Sequence, residues 1–129
     1  MISEYQKKFL SITPSYKSTL DRYLKEWGDG PPLYTLEFED YAHFLAKSFE
    51  DLEWSEKRDA FQYIEDCVVS NDDIARDSAT TGFLEAIMNS IDNGRMTLDQ
   101  VRDYIGEKSL AYCIAWDRFN GTNTMGSAS

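Results

Sequence analysis

The chain has 129 residues, 42% of them hydrophobic and 14% aromatic, enough for one domain with a real core and too many for a disordered chain. Its formal net charge of −10, from 23 acids against 13 bases, argues against nucleic acid as a direct partner because phosphate would be repelled. No apolar run approaches the roughly 18 residues of a bilayer span, and the opening MISEYQKKFLSI has neither a long apolar stretch nor a small-residue cleavage site, so the expectation is no membrane and a cytoplasmic location.

Taken in order, the apolar spacing is helical almost throughout. Ile2, Tyr5, Phe9 and Ile12 form a stripe for a first short helix. Thr13-Pro14 reads as N-cap and first position of a second helix, whose buried face is Tyr16, Leu20, Tyr23, Leu24 and Trp27. Gly28-Asp29-Gly30-Pro31-Pro32 ends it, with glycine in a left-handed cap. Leu33–Leu36 is the one short strand candidate. A third helix over 37–51 buries Phe38, Tyr41, Ala42, Leu45 and Phe49; a fourth over 55–70, capped by Ser55, buries Phe61, Ile64 and Val68.

After an acidic junction a fifth helix presents Phe83, Leu84, Ile87, Met88 and Ile91, and Asn93-Gly94 stops it. Thr97-Leu98-Asp99-Gln100 fits a capping box, with Met96 and Val101 placed as a hydrophobic staple. The last helix, 107–119, is apolar on two faces, the pattern of a central element. The fold class is therefore all-α, a single bundle of about six to seven helices over residues 1–120, followed by a flexible tail, 121–129.

Chemistry-bearing sets are incomplete. His43 is the sole histidine and projects opposite the Phe38–Leu45–Phe49 stripe, with no serine or cysteine nucleophile placed beside it. Cys67 and Cys113 stand far apart, which suits reduced thiols packed as small hydrophobes rather than a zinc site. Asn89–Gln100 echoes a calcium loop but carries Ile91 and Gln100 where ligands belong. Glu39-Asp40, Glu50-Asp51 and Glu65-Asp66 are adjacent on helices and point about 100° apart, so they are not facing acid–base dyads. The expectation is no enzyme, no cofactor and no metal.

What remains is the distribution of charge. Between Glu37 and Asp77 lie 13 acids and four bases, against 10 acids and nine bases in the rest. Such a segment is either a solvated face or a docking surface for a basic protein. The expected binding residues are Glu37, Glu39, Asp40, Glu50, Asp51, Glu53, Asp72, Asp73 and Asp77, joined by the aromatics Trp27 and Tyr34; Trp54 is a further loop aromatic.

Thr81-Gly82-Phe83-Leu84-Glu85, behind the acidic junction, resembles the central signature of a bacterial family of small helical proteins. The likeness extends through the Phe38–Asp51 helix and Phe-Gln-Tyr-Ile-Glu-Asp at 61–66 into the last helix, covering most of residues 20–119. That family was catalogued as a domain of unknown function, and its members sit beside polymorphic toxins as immunity proteins. The resemblance implies a binder of a cognate toxin domain, nuclease-like or ADP-ribosyltransferase-like, that occludes its active or substrate-binding surface. The alternative is an acidic adaptor for another basic cytosolic protein. In either reading Phe83, Leu84 and Ile87 belong to the core, Glu85 is a structural partner of a nearby backbone or base, and Asp72, Asp73 and Asp77 favour a helix N-terminus.

Overall fold

Ser3 starts the first helix by a reciprocal cap: its hydroxyl accepts from Gln6 N at 3.1 Å while its own N–H donates to Gln6 Oε1 at 3.0 Å. In this computed structural model, which describes residues 2–28 and 30–126, α1 runs Glu4–Ile12. The helices α2 (Lys17–Trp27), α3 (Tyr34–Ser48) and α4 (Trp54–Val68) follow. A rod then forms from α5 (Asp73–Asp77), a π-helical segment (Ser78–Leu84) and α6 (Glu85–Asp92). The short α7 (Leu98–Arg102) and α8 (Glu107–Asn120) complete the chain. Among the described residues there is no strand, as an all-α chain requires.

The rod is the centre. Ser78, Ala79, Gly82, Phe83, Leu84, Ala86, Ile87, Met88 and Ser90 are buried along it. The most extensive packing of α3 is against the π segment, while α4 meets both the π segment and α8. Close approach depends on Gly82, where an added Cβ would lie 2.5 Å from the Thr35 carbonyl oxygen and 3.0 Å from Phe38 Cβ. In the same segment Thr80 Oγ1 donates to the Arg76 carbonyl oxygen at 3.0 Å, a side-chain bond in the place where the backbone ladder widens.

An aromatic cluster ties α1 to α3. Phe9 stacks on Tyr41 at 3.9 Å between centroids and meets Phe38 edge-on at 4.9 Å. Tyr16, Phe61 and Phe83 extend it, all within 1% of complete burial.

Several local expectations are corrected. The strand candidate at 33–36 is the entry to α3, which begins at Tyr34, because Tyr34 and Phe38 fall on the helical face that meets Tyr5. Pro14 opens a 3-10 turn, Pro14–Tyr16, ahead of α2, and Thr13 serves α1 by donating to the Phe9 carbonyl oxygen at 3.0 Å. Gly28 closes α2 in the right-handed region, φ −72°; the left-handed glycines are Gly94, Gly121 and Gly126. Glu53, not Ser55, precedes α4, its N–H donating to Glu56 Oε1 at 3.0 Å.

The largest correction concerns α8. Its buried residues are only Ser109, Cys113 and Asp117, and Phe119 is 89% exposed, so it lies at the periphery. Small residues of the rod take the centre instead. The start of the expected tail is also held: Met125 is buried, and Thr122, Thr124 and Met125 all donate to the Asp117 carboxylate. Residues 127–129 of that tail, and Asp29 of the turn after α2, lie outside the described residues.

Candidate binding cleft and acidic ends

The start of α1, the end of α2 with Gly28, residues 30–33 and the start of α3 enclose a cleft of about 700 Å³. Its walls are apolar and aromatic, with Tyr5, Tyr23, Leu24, Trp27, Leu33 and Tyr34 prominent. Tyr34 stands edge-on to Tyr5 with centroids 5.4 Å apart. Trp27 and Leu33 are 45% and 42% exposed, so the rim is open to solvent. This is the volume and character of a ligand site.

The polar residues at its base come from two helices. Ser3 Oγ donates to Glu37 Oε1 at 2.5 Å, joining the α1 cap to α3. Glu37 is only 4% exposed, which corrects its expected place on a solvated face: it enters α3 in the first turn and points toward α1. Burial pushes its carboxyl above the ordinary range, and the Ser3 hydroxyl offsets this in part. Gln6, 1% exposed, spends its Oε1 on Ser3 N, and its Nε2 is buried without a hydrogen-bond partner. Such an orphan donor costs about 1–3 kcal/mol in a folded protein. Nearby, burial and then the Glu37 charge push the Tyr23 phenol up to about 12.

Of the remaining expected binding residues, Glu39 and Asp40 lie within α3 and the others near the two ends of α4. Asp40 is half-buried and accepts from Tyr16 Oη at 2.8 Å; burial raises its carboxyl pKa against that bond. Glu39 beside it is half-buried. Glu50, Asp51 and Glu53 are exposed where α3 gives way to α4, and Glu50 accepts from Gln100 Nε2. Asp72, Asp73 and Asp77 are exposed at the other end. Asp72 caps α5 by accepting from Ile74 N at 2.9 Å, and Asp73 pairs with Arg76. The negative stretch contiguous in sequence is thus split in space, since Glu37 and Glu50 are separated by roughly 20 Å of helical rise. The Asp72 charge adds to burial in raising the Tyr5 phenol. Structure therefore brings Trp27, Tyr34 and Glu37 together and leaves Glu50, Asp51 and Glu53 apart from them.

The other singled-out groups lie elsewhere. His43 is exposed, near Lys47, Ser90 and Arg95. Trp54 is 62% exposed with Arg58 over its ring at 4.8 Å. Cys67 and Cys113 are buried free thiols, and burial pushes them up to about 11 and about 12, which keeps them protonated. Glu85 accepts from Tyr112 Oη at 2.5 Å, so its partner is a phenol. Among the described residues no group of three or more His, Cys, Asp or Glu converges as a metal site, and no helix is long and apolar enough to cross a membrane.

Sequence reasoning missed Ser3 and Gln6. Their signal is a Ser-x-x-Gln cap just inside the first apolar stripe, the same pattern that stands at Thr97–Gln100.

An all-helical domain with an open aromatic cleft floored by a buried carboxyl is the class these features define. Within that class, the chain belongs to the family described as Domain of unknown function (DUF7674), whose model matches residues 7–121. Comparison with curated proteins and with solved structures gave no match.

Proposed function

We propose that the chain is an immunity protein, a cytoplasmic binder without catalytic activity of its own. It neutralises a cognate basic toxin domain, nuclease-like or ADP-ribosyltransferase-like, by covering the surface through which that toxin acts. The observation that supports this reading is the state of the acidic segment. Eight of its 13 acids (Glu50, Asp51, Glu53, Asp59, Asp66, Asp72, Asp73 and Asp77) are exposed. Only Asp59 and Asp73 of these form an ion pair among the described residues.

Carboxylates left unneutralised at both ends of α4 give a field that speeds capture of a positively charged partner. Occupying a phosphate-binding surface is a task such a face can perform without chemistry. The protonated, buried thiols and the solitary exposed His43 agree with binding rather than turnover.

The test is co-expression with the product of the adjacent gene. Rescue of cell survival, with a complex that co-purifies in low salt and loosens in high salt, supports charged occlusion. Rescue without a complex would replace it with an enzyme that reverses damage; no toxicity and no complex would remove the immunity reading altogether. Charge reversal at Asp72, Asp73 and Asp77 weakens capture and flattens its salt dependence. Because Asp72 caps α5, Asp72→Asn is the matched control that keeps the cap.

A further inference from the structure

The cleft carries more than shape. Its described lining includes the carboxylates of Glu4 and Glu37 and no lysine, arginine or histidine, and Glu4 is already engaged with Lys7 at 3.2 Å. Glu37 has one oxygen on Ser3 and accepts no second hydrogen bond among the described residues. Gln6 Nε2 is a second unfinished polar group on the same floor. The walls above are ring faces and edges, with Trp27 and Tyr34 at the mouth.

A carboxylate beneath aromatic rings is complementary to a planar cation, whereas the unused amide donor beside it calls for an acceptor such as a peptide carbonyl. Guanidinium meets the carboxylate and the rings, since it donates in parallel to a carboxylate and stacks on aromatic faces. We propose that the cleft receives an arginine side chain from an extended segment of the basic protein partner, its guanidinium on Glu37 and its flanks on Trp27 and Tyr34. The open apolar rim at Trp27 and Leu33 suits the chain on either side of that arginine, and the carboxylates of Glu4 and Glu37 in the lining favour its entry. The inference rests on the reading of the chain as a binder of a basic protein and names the place where that partner is gripped.

The probe is acetyl-Leu-Arg-Leu-amide, compared with the same peptide carrying citrulline, which keeps the shape and loses the charge. Binding is followed by NMR at the Gln6 side-chain amide and the Trp27 indole N–H. Saturable shifts at both groups, with the arginine peptide bound about tenfold more tightly than citrulline, are expected. Glu37→Gln, which retains an acceptor for Ser3, should erase that preference without unfolding the chain.

Equal affinity for the two peptides, or no shift at Gln6 and Trp27, overturns the proposal. Acetyl-arginine-amide binding as tightly as the tripeptide overturns the protein partner and leaves a site for a small guanidinium compound. Failure of this inference is separable from failure of the immunity reading. Cleft binding by the peptide beside a harmless neighbouring gene product sinks the immunity reading alone. Undiminished rescue and complex formation by Trp27→Ala and Glu37→Gln sinks the cleft alone.

Discussion

Glu37 and Asp117 are both buried carboxylates, 4% and 1% exposed, yet their surroundings treat them in opposite ways. Asp117 near the end of α8 accepts from Thr122 Oγ1 at 2.7 Å, Thr124 N at 3.1 Å and Met125 N at 2.8 Å. Burial alone would oppose its charge, but these donors together hold its carboxyl below the ordinary range. Glu37 has one hydroxyl, and burial prevails. A buried acid whose lone pairs are filled is a clasp. One left half-filled, on the floor of an open cleft, is a place for something else to bind.

The largest expected effect tests the clasp. Asp117→Ala leaves two backbone N–H groups and a hydroxyl without their acceptor and frees Met125 from the core. A loss of about 3 kcal/mol follows from those charge-assisted bonds, read by urea unfolding. A loss under about 0.5 kcal/mol would show that the clasp is not structural and would dissolve the contrast with Glu37.

Glu65 sharpens the same contrast on a second clasp. It accepts from Lys108 N and Ser109 N at 2.9 Å and Ser109 Oγ at 2.8 Å, capping α8 from a distant helix. Its partial burial works against ionisation, and these donors still lower its carboxyl overall. An added Cβ at Gly106 would lie 2.4 Å from Glu65 Oε1 and 2.7 Å from its Cγ. Gly106→Ala therefore displaces the cap and costs about 1–2 kcal/mol. An unchanged midpoint would mean that Glu65 caps α8 equally well from another rotamer.

These clasps explain what could be read in the chain and what could not. Local signals were legible: the Thr97–Gln100 capping box forms as expected, with the staple residues Met96 and Val101 buried, and Phe83, Leu84, Ile87 and Met88 are core. Each of those is decided within a few residues. Ser3 and Glu37 are 34 positions apart and Glu65 and Ser109 are 44 apart, so no window shows that either acid leaves the surface. The periphery of α8 was hidden for another reason. Its apolar residues outnumber those of the π segment, whose Ser78, Ala79 and Gly82 reach the centre because they are small. Trp27, Tyr34 and Glu37 stand out in the sequence by their chemistry, and only the fold shows that they share one cleft.

A smaller effect is expected at the cleft itself. Glu37→Gln keeps the acceptor for Ser3 and removes a charge that burial disfavours, so stability at neutral pH should rise by up to about 1 kcal/mol. A loss of more than that would mean that the ionised carboxylate is already satisfied within the fold. Glu37 would then be a third clasp, and the cleft would lose its unfinished acceptor.

The smallest effect is a change of sign with pH. The folded carboxyls of Glu37 and Asp40 lie above their ordinary values of 4.5 and 3.8, so their ionisation opposes folding. Their contribution is complete below those values and is lost as pH rises through the folded pKa. Asp117 and Glu65 are lowered, so their contribution is present above the ordinary range and is lost as pH falls through the folded pKa. Stability should therefore rise slightly as pH falls from neutral toward the ordinary carboxylate values and then fall in stronger acid. The two branches separate in difference curves. The gain from Glu37→Gln should be present at pH 7 and vanish near the ordinary glutamate value. The deficit of Asp117→Asn should persist to lower pH and shrink only as the clasp protonates. Parallel curves for the two variants would mean that both acids sense the same surroundings, and the distinction between clasp and cleft would fail.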